Sequence, residues 1–345
     1  MAILSETQPS VRVHPGFAPS FVRRSSRRSA AASTSGPVST VTTIDIGGHP
    51  QYTVVNSATN TFYSVDMYSL LSVIDGATNH ITTQFSADPQ PQAQSQGMAV
   101  NEMTNTIYVC NWWYFQLGVI DGTTNTVTTQ VSLDGAACWG VAVNPQTNMI
   151  YVSLNSSTTG GGVAVIDGAT NTLVKTISMG VGSYYIAVNP VTNLVYTVIY
   201  DGARSGFHLY VLDGSSYEIT ARIPLDINSC GVAVNPLTNT VYTTSLLDSA
   251  VQVIDGATNR VTGSITVGGY PQVVVVNPNL SRVYTANYFD STVSVIDGNS
   301  NHVLQTVGVG HGPEGICTDT ASGVLYVANT YGASLTVLQD DGQPG

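Results

Sequence analysis

A four-residue phrase, Val-Ile-Asp-Gly or a close variant, returns seven times along the chain. Successive copies are separated by 46, 46, 46, 42, 42 and 42 residues. A period of about 40 to 45 residues is typical of the four-stranded blades of a β-propeller, and it favours that architecture over a helical solenoid. The copies begin at Val73, Val119, Val165, Val211, Val253, Val295 and Val337. Seven copies of a unit that cannot bury its own faces predict one closed domain.

Each repeat predicts four antiparallel strands in a meander. The first is an apolar run such as 140–143, which ends in an Asn-Pro turn where proline presets φ. The second resembles 149–153, the third carries the repeated phrase, and the fourth resembles 126–131. Asparagines that follow the Asp-Gly turns suit the positive φ of such turns. Both turn sets are near-identical copies, so we interpret them as scaffold.

The two chain ends predict how the domain closes. The last repeat runs from Glu314 to about Leu338 and lacks a fourth strand, whereas residues 39–46 alternate like an isolated outer strand. Pairing the two would remove exposed sheet edges. The predicted fold is therefore an all-β, seven-bladed β-propeller of four-stranded antiparallel blades over 39–340. Residues 1–38 are predicted to be a disordered Arg/Ser-rich leader, and residues 341–345 a flexible C-terminus.

The repeats resemble a known family. Asn-Pro-x-Thr-Asn, Val-Tyr-Val/Thr and Val-Ile-Asp-Gly-Ala-Thr-Asn recur in phase over 39–338, as in the YVTN family of β-propeller repeats. The resemblance implies a seven-bladed propeller, often located on cell surfaces or in the periplasm. No evident export signal precedes the repeats, so a cytoplasmic protein is the first expectation and an exported or cell-surface protein the alternative.

The net charge of the chain limits the classes of partner that it can bind. The chain has a net charge of −11, with five arginines and one acid before residue 40, so the repeat body is strongly acidic. Such a body repels phosphate backbones, which argues against nucleic-acid binding. No apolar run is long enough for a membrane span. The expected partner is a small molecule, and the expected state a monomer.

Functional residues are expected on one face of the propeller, which we call the variable face. It carries the loops between second and third strands and the loops that lead into each first strand. One residue per repeat lies at the channel opening, and we call this set the mouth ring: Gln51, Gln96, Trp139, Tyr184, Cys230, Gln272 and Glu314. Aromatic walls with few polar groups are typical of small-molecule pockets. The predicted substrate-binding residues are Tyr68, Trp112, Trp113, Tyr114, Phe115, Trp139, Tyr184, Tyr200, Asp201, Arg204, Tyr270, Tyr288, Phe289 and Tyr331. The alternative is that these large side chains simply plug the channel.

Two histidines and one acid are the candidate catalytic set. His49 and His311 flank prolines in corresponding loops, and Glu314 is the only acid of the mouth ring. Two imidazoles and a carboxylate suit acid/base chemistry or capture of a divalent metal. The alternative is two loop histidines with ordinary hydrogen bonds. Asp201, Arg204 and His208 are the reserve set.

Absent motifs limit the chemistry. The sequence has no nucleophile elbow, no His-Glu-x-x-His and no phosphate loop, and its four cysteines lack zinc-type spacing. No cofactor is required by the sequence, although a divalent metal at His49, His311 and Glu314 is possible. The prediction is therefore an enzyme of the lyase, cyclase or hydrolase type, acting on a hydrophobic or aromatic small molecule. The alternative is a non-catalytic propeller that binds a protein, peptide or glycan.

Overall fold

The structure is a computed structural model that describes residues 36–90, 93–155, 161–180, 182–202, 206–226 and 228–342. Most of the predicted leader, residues 343–345 of the predicted C-terminus, and Arg204 lie outside the described residues. Within them the regular elements are β-strands and one 3₁₀ turn, Thr330–Gly332. None of the helical structure in this part is long and apolar enough to cross a membrane.

The strands fall into groups of four, which we call units 1 to 7. The chain starts with β1 (Val38–Asp45), which belongs to unit 7. Unit 1 contains β2 (Pro50–Asn56), β3 (Thr61–Asp66), β4 (Leu70–Asp75) and β5 (His80–Ser86). Unit 2 contains β6 (Ser95–Asn101), β7 (Thr106–Asn111), β8 (Gln116–Asp121) and β9 (Thr126–Ser132). Unit 3 contains β10 (Ala137–Asn144), β11 (Met149–Asn155), β12 (Gly161–Asp167) and β13 (Thr172–Gly180). Unit 4 contains β14 (Gly182–Asn189), β15 (Leu194–Tyr200), β16 (Phe207–Asp213) and β17 (Ile219–Pro224).

The remaining units follow the same order. Unit 5 contains β18 (Ser229–Asn235), β19 (Thr240–Ser245), β20 (Ala250–Asp255) and β21 (Arg260–Thr266). Unit 6 contains β22 (Pro271–Asn277), β23 (Arg282–Asn287), β24 (Thr292–Asp297) and β25 (His302–Gly308). Unit 7 contains β26 (Pro313–Thr318), β27 (Val324–Asn329) and β28 (Ser334–Asp340), and β1 pairs with β28.

Neighbouring strands in each unit pair antiparallel, in chain order. Units 3 and 4 are additionally joined by a bridge between Asn155 and Gly182, so they count as one eight-stranded sheet. The first strands of consecutive units pack beside one another, and β26 packs against β2. The protein is therefore all-β, built from successive four-stranded antiparallel sheets, and compatible with a β-propeller.

Burial decreases from the second and third strands to the fourth strand of a unit. In unit 1, residues 62–66 of β3 are all buried, whereas β5 alternates between exposed and half-buried residues. The middle strands have a neighbouring sheet on both faces and are apolar on both, while the outer strand has water on one face. The apolar core accordingly lies between adjacent sheets, as in the cluster that joins Phe62 of unit 1 to Tyr326 of unit 7.

One buried tyrosine per unit links each sheet to its neighbour. These side chains occupy the same position of the second strand and are at most 1% exposed: Tyr63, Tyr108, Tyr151, Tyr196, Tyr242, Tyr284 and Tyr326. The Tyr151 hydroxyl donates to the Gly214 carbonyl at 3.2 Å, and the Tyr284 hydroxyl donates to Asp340 at 2.6 Å. Tyr326 donates to Asn79, which connects unit 7 with unit 1. The tyrosine of the Val-Tyr motif thus provides contact across sheets.

The repeated turns act as scaffold, as the sequence predicts. Asp75 Oδ1 accepts backbone hydrogen bonds from the two residues after Gly76, and Asn79 and Asn171 have φ values of 59° and 53°. At the Asn-Pro turns, the Asn144 amide donates to Asn193 of the next unit at 2.8 Å. Equivalent bonds occur in units 1, 2 and 4. These polar groups are used within the fold and are not available for chemistry.

β1 is attached on both of its sides. It pairs with β28 from Val38 opposite Asp340 to Asp45 opposite Ser334. The Gln305 side chain of unit 6 accepts from the Val38 amide and donates to the Val38 carbonyl, both at 2.9 Å. The N-terminal strand therefore stands in contact with the last two units of the chain.

Candidate functional site

Glu314, the carboxylate of the mouth ring, is the second residue of β26 and is held by groups from two units. Its Oε2 lies 3.1 Å from the Thr330 hydroxyl, and the Gln51 side chain also hydrogen-bonds it. The same Thr330 hydroxyl lies 2.7 Å from the Pro50 carbonyl oxygen. A hydroxyl has one proton, so Thr330 can donate to only one of these two acceptors. Thr330 can donate to ionised Glu314 or to the Pro50 carbonyl, whereas a protonated Glu314 can donate to Thr330 while Thr330 donates to Pro50.

The surroundings of Glu314 favour its neutral form. Burial raises the pKa of this carboxyl to about 7, and the hydrogen bonds from Thr330 and Gln51 oppose the rise. The Gln51 Oε1 atom is buried and has no hydrogen-bond partner among the described residues. A carboxyl that titrates near neutrality can act as a general acid or base.

The charge of Glu314 also raises the pKa values of other titratable groups. Burial raises the pKa of Cys230 to about 12, and the Glu314 charge adds to the rise. Burial and the same charge also raise the pKa of Tyr270. Ionising Glu314 is therefore opposed by desolvation and has no nearby cation to compensate it among the groups that determine its pKa.

His49 lies near Glu314 but is bonded to the backbone. Its Nδ1 atom lies 3.2 Å from the Thr330 carbonyl oxygen. Its ring contacts Tyr68 and Tyr331 edge-on, with centroid separations of 6.5 and 6.4 Å. His49 therefore lies in the wall of the site, and Thr330 contacts both His49 and the Glu314 carboxyl.

His311 is exposed at the rim, with its ring centroid 5.8 Å from that of Tyr331. Across the described residues, no three His, Cys, Asp or Glu side chains come together in a way that could hold a metal ion. The geometry thus does not assemble His49, His311 and Glu314 into the predicted metal set. The physical reason is that His49 is engaged by a backbone carbonyl while His311 lies outward on the rim.

Six rings form a continuous row on the variable face, which we call the aromatic row. Its members from units 1, 6 and 7 are Tyr68, His49, Tyr331, Tyr288, Tyr270 and Phe289. Successive centroids are 4.5 to 6.5 Å apart, within the range of favourable aromatic pairs. Burial, with a hydrogen bond and charge interaction from Tyr331, raises the pKa of Tyr288. Five predicted binding residues, one from unit 1, three from unit 6 and one from unit 7, thus lie in one row of ring contacts.

The remaining predicted aromatic residues form two further groups. Trp139 contacts Tyr184 at 5.8 Å, and Phe207 links Tyr184 to Tyr200 with centroid separations of 6.1 and 5.0 Å. Trp112 and Trp113 contact each other at 6.0 Å. Tyr114 is half-buried and Phe115 is exposed in the same loop. Ring contacts therefore join Trp139 to Tyr184, Phe207 and Tyr200, and Trp112 to Trp113.

Asp201 belongs to a polar cluster on the outer strands of unit 4. It accepts from Arg222 at 2.5 Å and from the Tyr210 hydroxyl at 3.1 Å, and it lies 3.0 Å from His208. Burial, with the Arg222 charge adding and the Asp201 charge opposing, lowers the pKa of His208. Arg222 and Tyr210 were not predictable from the mouth positions, since both lie on outer strands. This cluster satisfies its own charges and leaves Asp201 little capacity for substrate.

Two further tyrosines, which the sequence did not single out, lie on first strands. Tyr52 of β2 and Tyr185 of β14 come from units that are not neighbours, yet their hydroxyls lie 3.2 Å apart. The position that follows the mouth residue is glycine in four repeats: Gly97, Gly140, Gly231 and Gly315. A Cβ at Gly231 would lie 2.6 Å from the Gln272 carbonyl oxygen, so the close approach of adjacent strands favours glycine there. Tyrosine at this crowded position is the signal that could have revealed Tyr52 and Tyr185.

A cavity of about 610 Å³ opens beside the turns that follow the first strands, on the face that carries the Asn-Pro turns. Its wall comes from the inward parts of the first strands, together with Glu102, Met103 and Pro145 near the Asn-Pro turns. Tyr52 and Tyr185 also line it. Sequence reasoning assigned this face to scaffold alone, because the identity of the turns says nothing about the space between the strands.

Comparison with known proteins supports the fold and leaves the chemistry open. No protein-family model matches the chain, and no curated protein matches it. Among solved structures, the chain is similar to hydrazine synthase of Kuenenia stuttgartiensis, with a TM-score of 0.76 and 14% sequence identity. The match covers 86% of this chain and 97% of that chain. Since 1836 solved chains match this one, the likeness indicates a widely used propeller-type fold rather than a particular reaction.

Proposed function

We propose that the variable face binds a hydrophobic or aromatic small molecule and that Glu314 exchanges a proton with it. The observation that carries the proposal is the state of Glu314, a carboxyl with a pKa of about 7 beside the aromatic row. A structural carboxylate is usually paired with a cation or several backbone amides, which lower its pKa. Glu314 instead has two neutral partners and stays poised between its two protonation states.

Binding is assigned to the aromatic row and to the mouth ring. Aromatic side chains offer large apolar area, and their edges and hydroxyls orient a ligand. Tyr270 and Tyr288 lie close enough to Glu314 for its charge to contribute to the raised pKa of each tyrosine. A neutral ligand would contact the apolar faces of these rings.

The chemistry that this arrangement supports is non-redox proton transfer. Protonated Glu314 can donate to a leaving group, and ionised Glu314 can accept a proton from a substrate carbon or from water. His311 is exposed at the rim of the same face. A lyase, cyclase or hydrolase needs no more than these steps. The structurally similar hydrazine synthase is an enzyme, which is consistent with catalysis on this type of scaffold.

The proposal includes a specific architecture, a closed seven-bladed propeller of the YVTN type. It is supported by the pairing of β1 with β28 and by the packing of β26 against β2. It is further supported by the stacking of Phe62 on Tyr326, with centroids 3.8 Å apart. Closure gives the variable face a single central opening, in which Glu314 has neighbours from units 1 and 7.

Glutamine at position 314 tests the catalytic part of the proposal. The Glu314→Gln protein and the wild type are incubated with fractionated metabolite extracts, and mass spectrometry follows which compounds change. Glu218→Gln is the matched control, because Glu218 is an exposed acid near β17. We expect the wild type and Glu218→Gln to convert the same compound and Glu314→Gln to lose at least 100-fold in rate, as for loss of a general acid or base. Equal conversion by all three proteins would refute a catalytic Glu314.

A panel of neutral phenols and heteroaromatic compounds, titrated while tryptophan fluorescence is monitored, tests binding. Trp139→Ala should weaken binding of a quenching compound while the melting temperature changes little, because Trp139 is only half-buried. A large fall in melting temperature would instead favour the interpretation that Trp139 plugs the channel.

A non-catalytic binding protein is the second candidate function. It is favoured by the exposure of Tyr68, Phe289 and Tyr331, which are 60, 63 and 54% exposed at the rim. Exposed aromatic residues of this kind bind peptides or glycans without chemistry. Loss of binding in Tyr68→Ala and Phe289→Ala, combined with full binding by Glu314→Gln and no converted compound, would support this candidate.

A further inference from the structure

The channel contains two compartments that differ in chemistry. Tyr52 and Tyr185 meet in the channel through their hydroxyls, 3.2 Å apart, and both line the 610 Å³ cavity on the Asn-Pro side. The mouth ring with Glu314 lies towards the other face. Since β2 and β14 belong to units 1 and 4, the two tyrosines reach each other across the channel rather than along one sheet.

The wall of the cavity is mostly aliphatic. The residue that precedes the Asn or Asp at the end of each first strand lines the cavity in all seven units: Val55, Val100, Val143, Val188, Val234, Val276 and Thr318. The six valines are half-buried, although they lie on the innermost strands. The Thr318 hydroxyl oxygen is itself buried, so it adds no accessible polar atom. A ring of aliphatic side chains that stays partly accessible within a protein is a ready surface for an apolar ligand.

Water is poorly suited to this space. A buried water needs two to four polar partners, and a dry apolar cavity binds apolar molecules readily. In units 1 to 4 the asparagine amides beyond the valine ring bond to the next unit, as Asn144 does with Asn193 and Asn189 with Asn239. Those four amides are therefore not free to bond cavity water, whereas the Asn277 amide nitrogen of unit 6 is buried without a partner in the described structure.

The acidic charge around the cavity disfavours ligands that carry an anionic group. Glu102 lines the cavity near its opening and is exposed, and the repeat body as a whole is acidic. A ligand that carries a carboxylate or sulfonate would be repelled at the entrance. The size of the cavity is within the range of about 300 to 1,000 Å³ that is usual for small-molecule sites.

We propose that the valine-lined cavity is a second binding site, which takes a neutral apolar molecule from the Asn-Pro side of the channel. Tyr52 and Tyr185 close it towards the mouth ring. This site is separate from the proposed catalytic site and does not depend on it. The ligand class is an uncharged aromatic or aliphatic compound.

A pair of fluorescent probes with the same aromatic framework tests this site. N-phenyl-1-naphthylamine is neutral, and 1-anilinonaphthalene-8-sulfonate differs from it by an anionic sulfonate. We expect the neutral probe to bind the full-length protein saturably with enhanced emission, and the anionic probe to bind at least tenfold more weakly. Absence of saturable binding by the neutral probe, or tighter binding by the anionic one, would overturn the proposal.

Substitutions in the valine ring locate the probe. Val143→Thr combined with Val188→Thr keeps the volume of the wall but adds two hydroxyls, and should weaken the neutral probe at least fivefold. Val100→Phe combined with Val234→Phe fills the space and should weaken it at least tenfold. Val191→Thr is the control, because Val191 is 65% exposed on a nearby turn and does not line the cavity. Unchanged affinity in the threonine pair, with circular dichroism and melting as in the control, would place the probe elsewhere and refute the site.

The two proposed sites are distinguished with the same probe. Glu314→Gln and Trp139→Ala should leave the affinity for N-phenyl-1-naphthylamine unchanged, because neither residue lines the cavity. Weakening by Trp139→Ala together with no effect of the threonine pair would assign the probe to the variable face. That result would refute the second site and leave the proposed function intact.

Discussion

At the scale of single residues, Glu314 illustrates how burial sets the chemistry of a group. The carboxyl has hydrogen bonds from Thr330 and Gln51, yet desolvation outweighs them and the pKa rises to about 7. The Thr330 hydroxyl can accept a hydrogen bond from Glu314 when that acid is protonated, while it donates to the Pro50 carbonyl. Such a residue weakens the fold when it ionises, and residues with strongly shifted pKa values are concentrated at functional sites.

The raised pKa predicts a pH-dependent stability. Because the pKa of Glu314 is higher in the folded state than in the unfolded state, its contribution is most favourable below pH 4.5 and declines as the pH rises towards 7. A shift from 4.5 to about 7 corresponds to about 3 kcal/mol in the free energy of unfolding. Urea titrations at pH 5 and pH 8 should find Glu314→Gln gaining stability relative to the wild type as the pH rises. A difference that does not vary with pH would contradict the raised pKa.

At the scale of elements, the second strand of each unit contains the buried tyrosine that packs against the neighbouring sheet. The tyrosine ring is buried between sheets. The Tyr151 hydroxyl donates to a turn carbonyl, and the Tyr284 hydroxyl donates to a carboxylate. The hydroxyl environments differ from unit to unit, although the sequence motif is the same. Tyr196 has a buried hydroxyl with no hydrogen-bond partner in the described structure, whereas Tyr151 and Tyr284 have acceptors.

Phenylalanine substitutions at equivalent positions should therefore have unequal effects. Tyr151→Phe should lower the free energy of unfolding by about 1 kcal/mol, because the Gly214 carbonyl loses a buried donor. Tyr284→Phe should cost more, about 1.5 to 3 kcal/mol, because its acceptor is the Asp340 carboxylate. Tyr196→Phe is the matched control and should be neutral or slightly stabilising. Chemical denaturation of the three variants measures this order, and equal losses in all three would argue that ring packing alone matters.

At the scale of the whole molecule, the two ends of the chain meet in one sheet. β1 pairs with β28 over its length, and Val38 adds to the apolar cluster between units 6 and 7. Without β1, the hydrogen-bonding edge of β28 and this cluster would be exposed to water. Such an edge is a site for association with other chains.

Two truncations test the importance of this pairing. Removal of residues 1–46 deletes β1 and should abolish the cooperative thermal transition and favour aggregation, whereas removal of residues 1–36 keeps β1 and should melt like the full chain. Circular dichroism during heating and light scattering measure both effects. The same melting curve for both truncations would show that the β1–β28 pair is dispensable.

Much of the scaffold could be predicted from the sequence because it depends on short-range patterns. Alternation of apolar residues indicated the strands, and the Asp-Gly and Asn-Pro phrases indicated turns whose asparagines have positive φ, such as Asn79. Glu314, Tyr288 and Tyr331 could be assigned to one face because the repeats align in phase. The repeat period could not predict the hydrogen bond between Thr330 and Glu314, because Thr330 lies in a loop that differs from the corresponding loops of the other repeats.

The sequence by itself determined the all-β class, the four-strand repeat and the identity of the scaffold turns, because periodicity and turn preference act between residues close in the chain. Only the tertiary structure decided which distant side chains meet. It brought Tyr52 to Tyr185, Gln51 to Glu314 and Asp201 to Arg222, and it placed His49 against the Thr330 carbonyl. It also created the valine-lined cavity. These features depend on the distances between packed strands and on burial, which arise when separate repeats pack around a common channel.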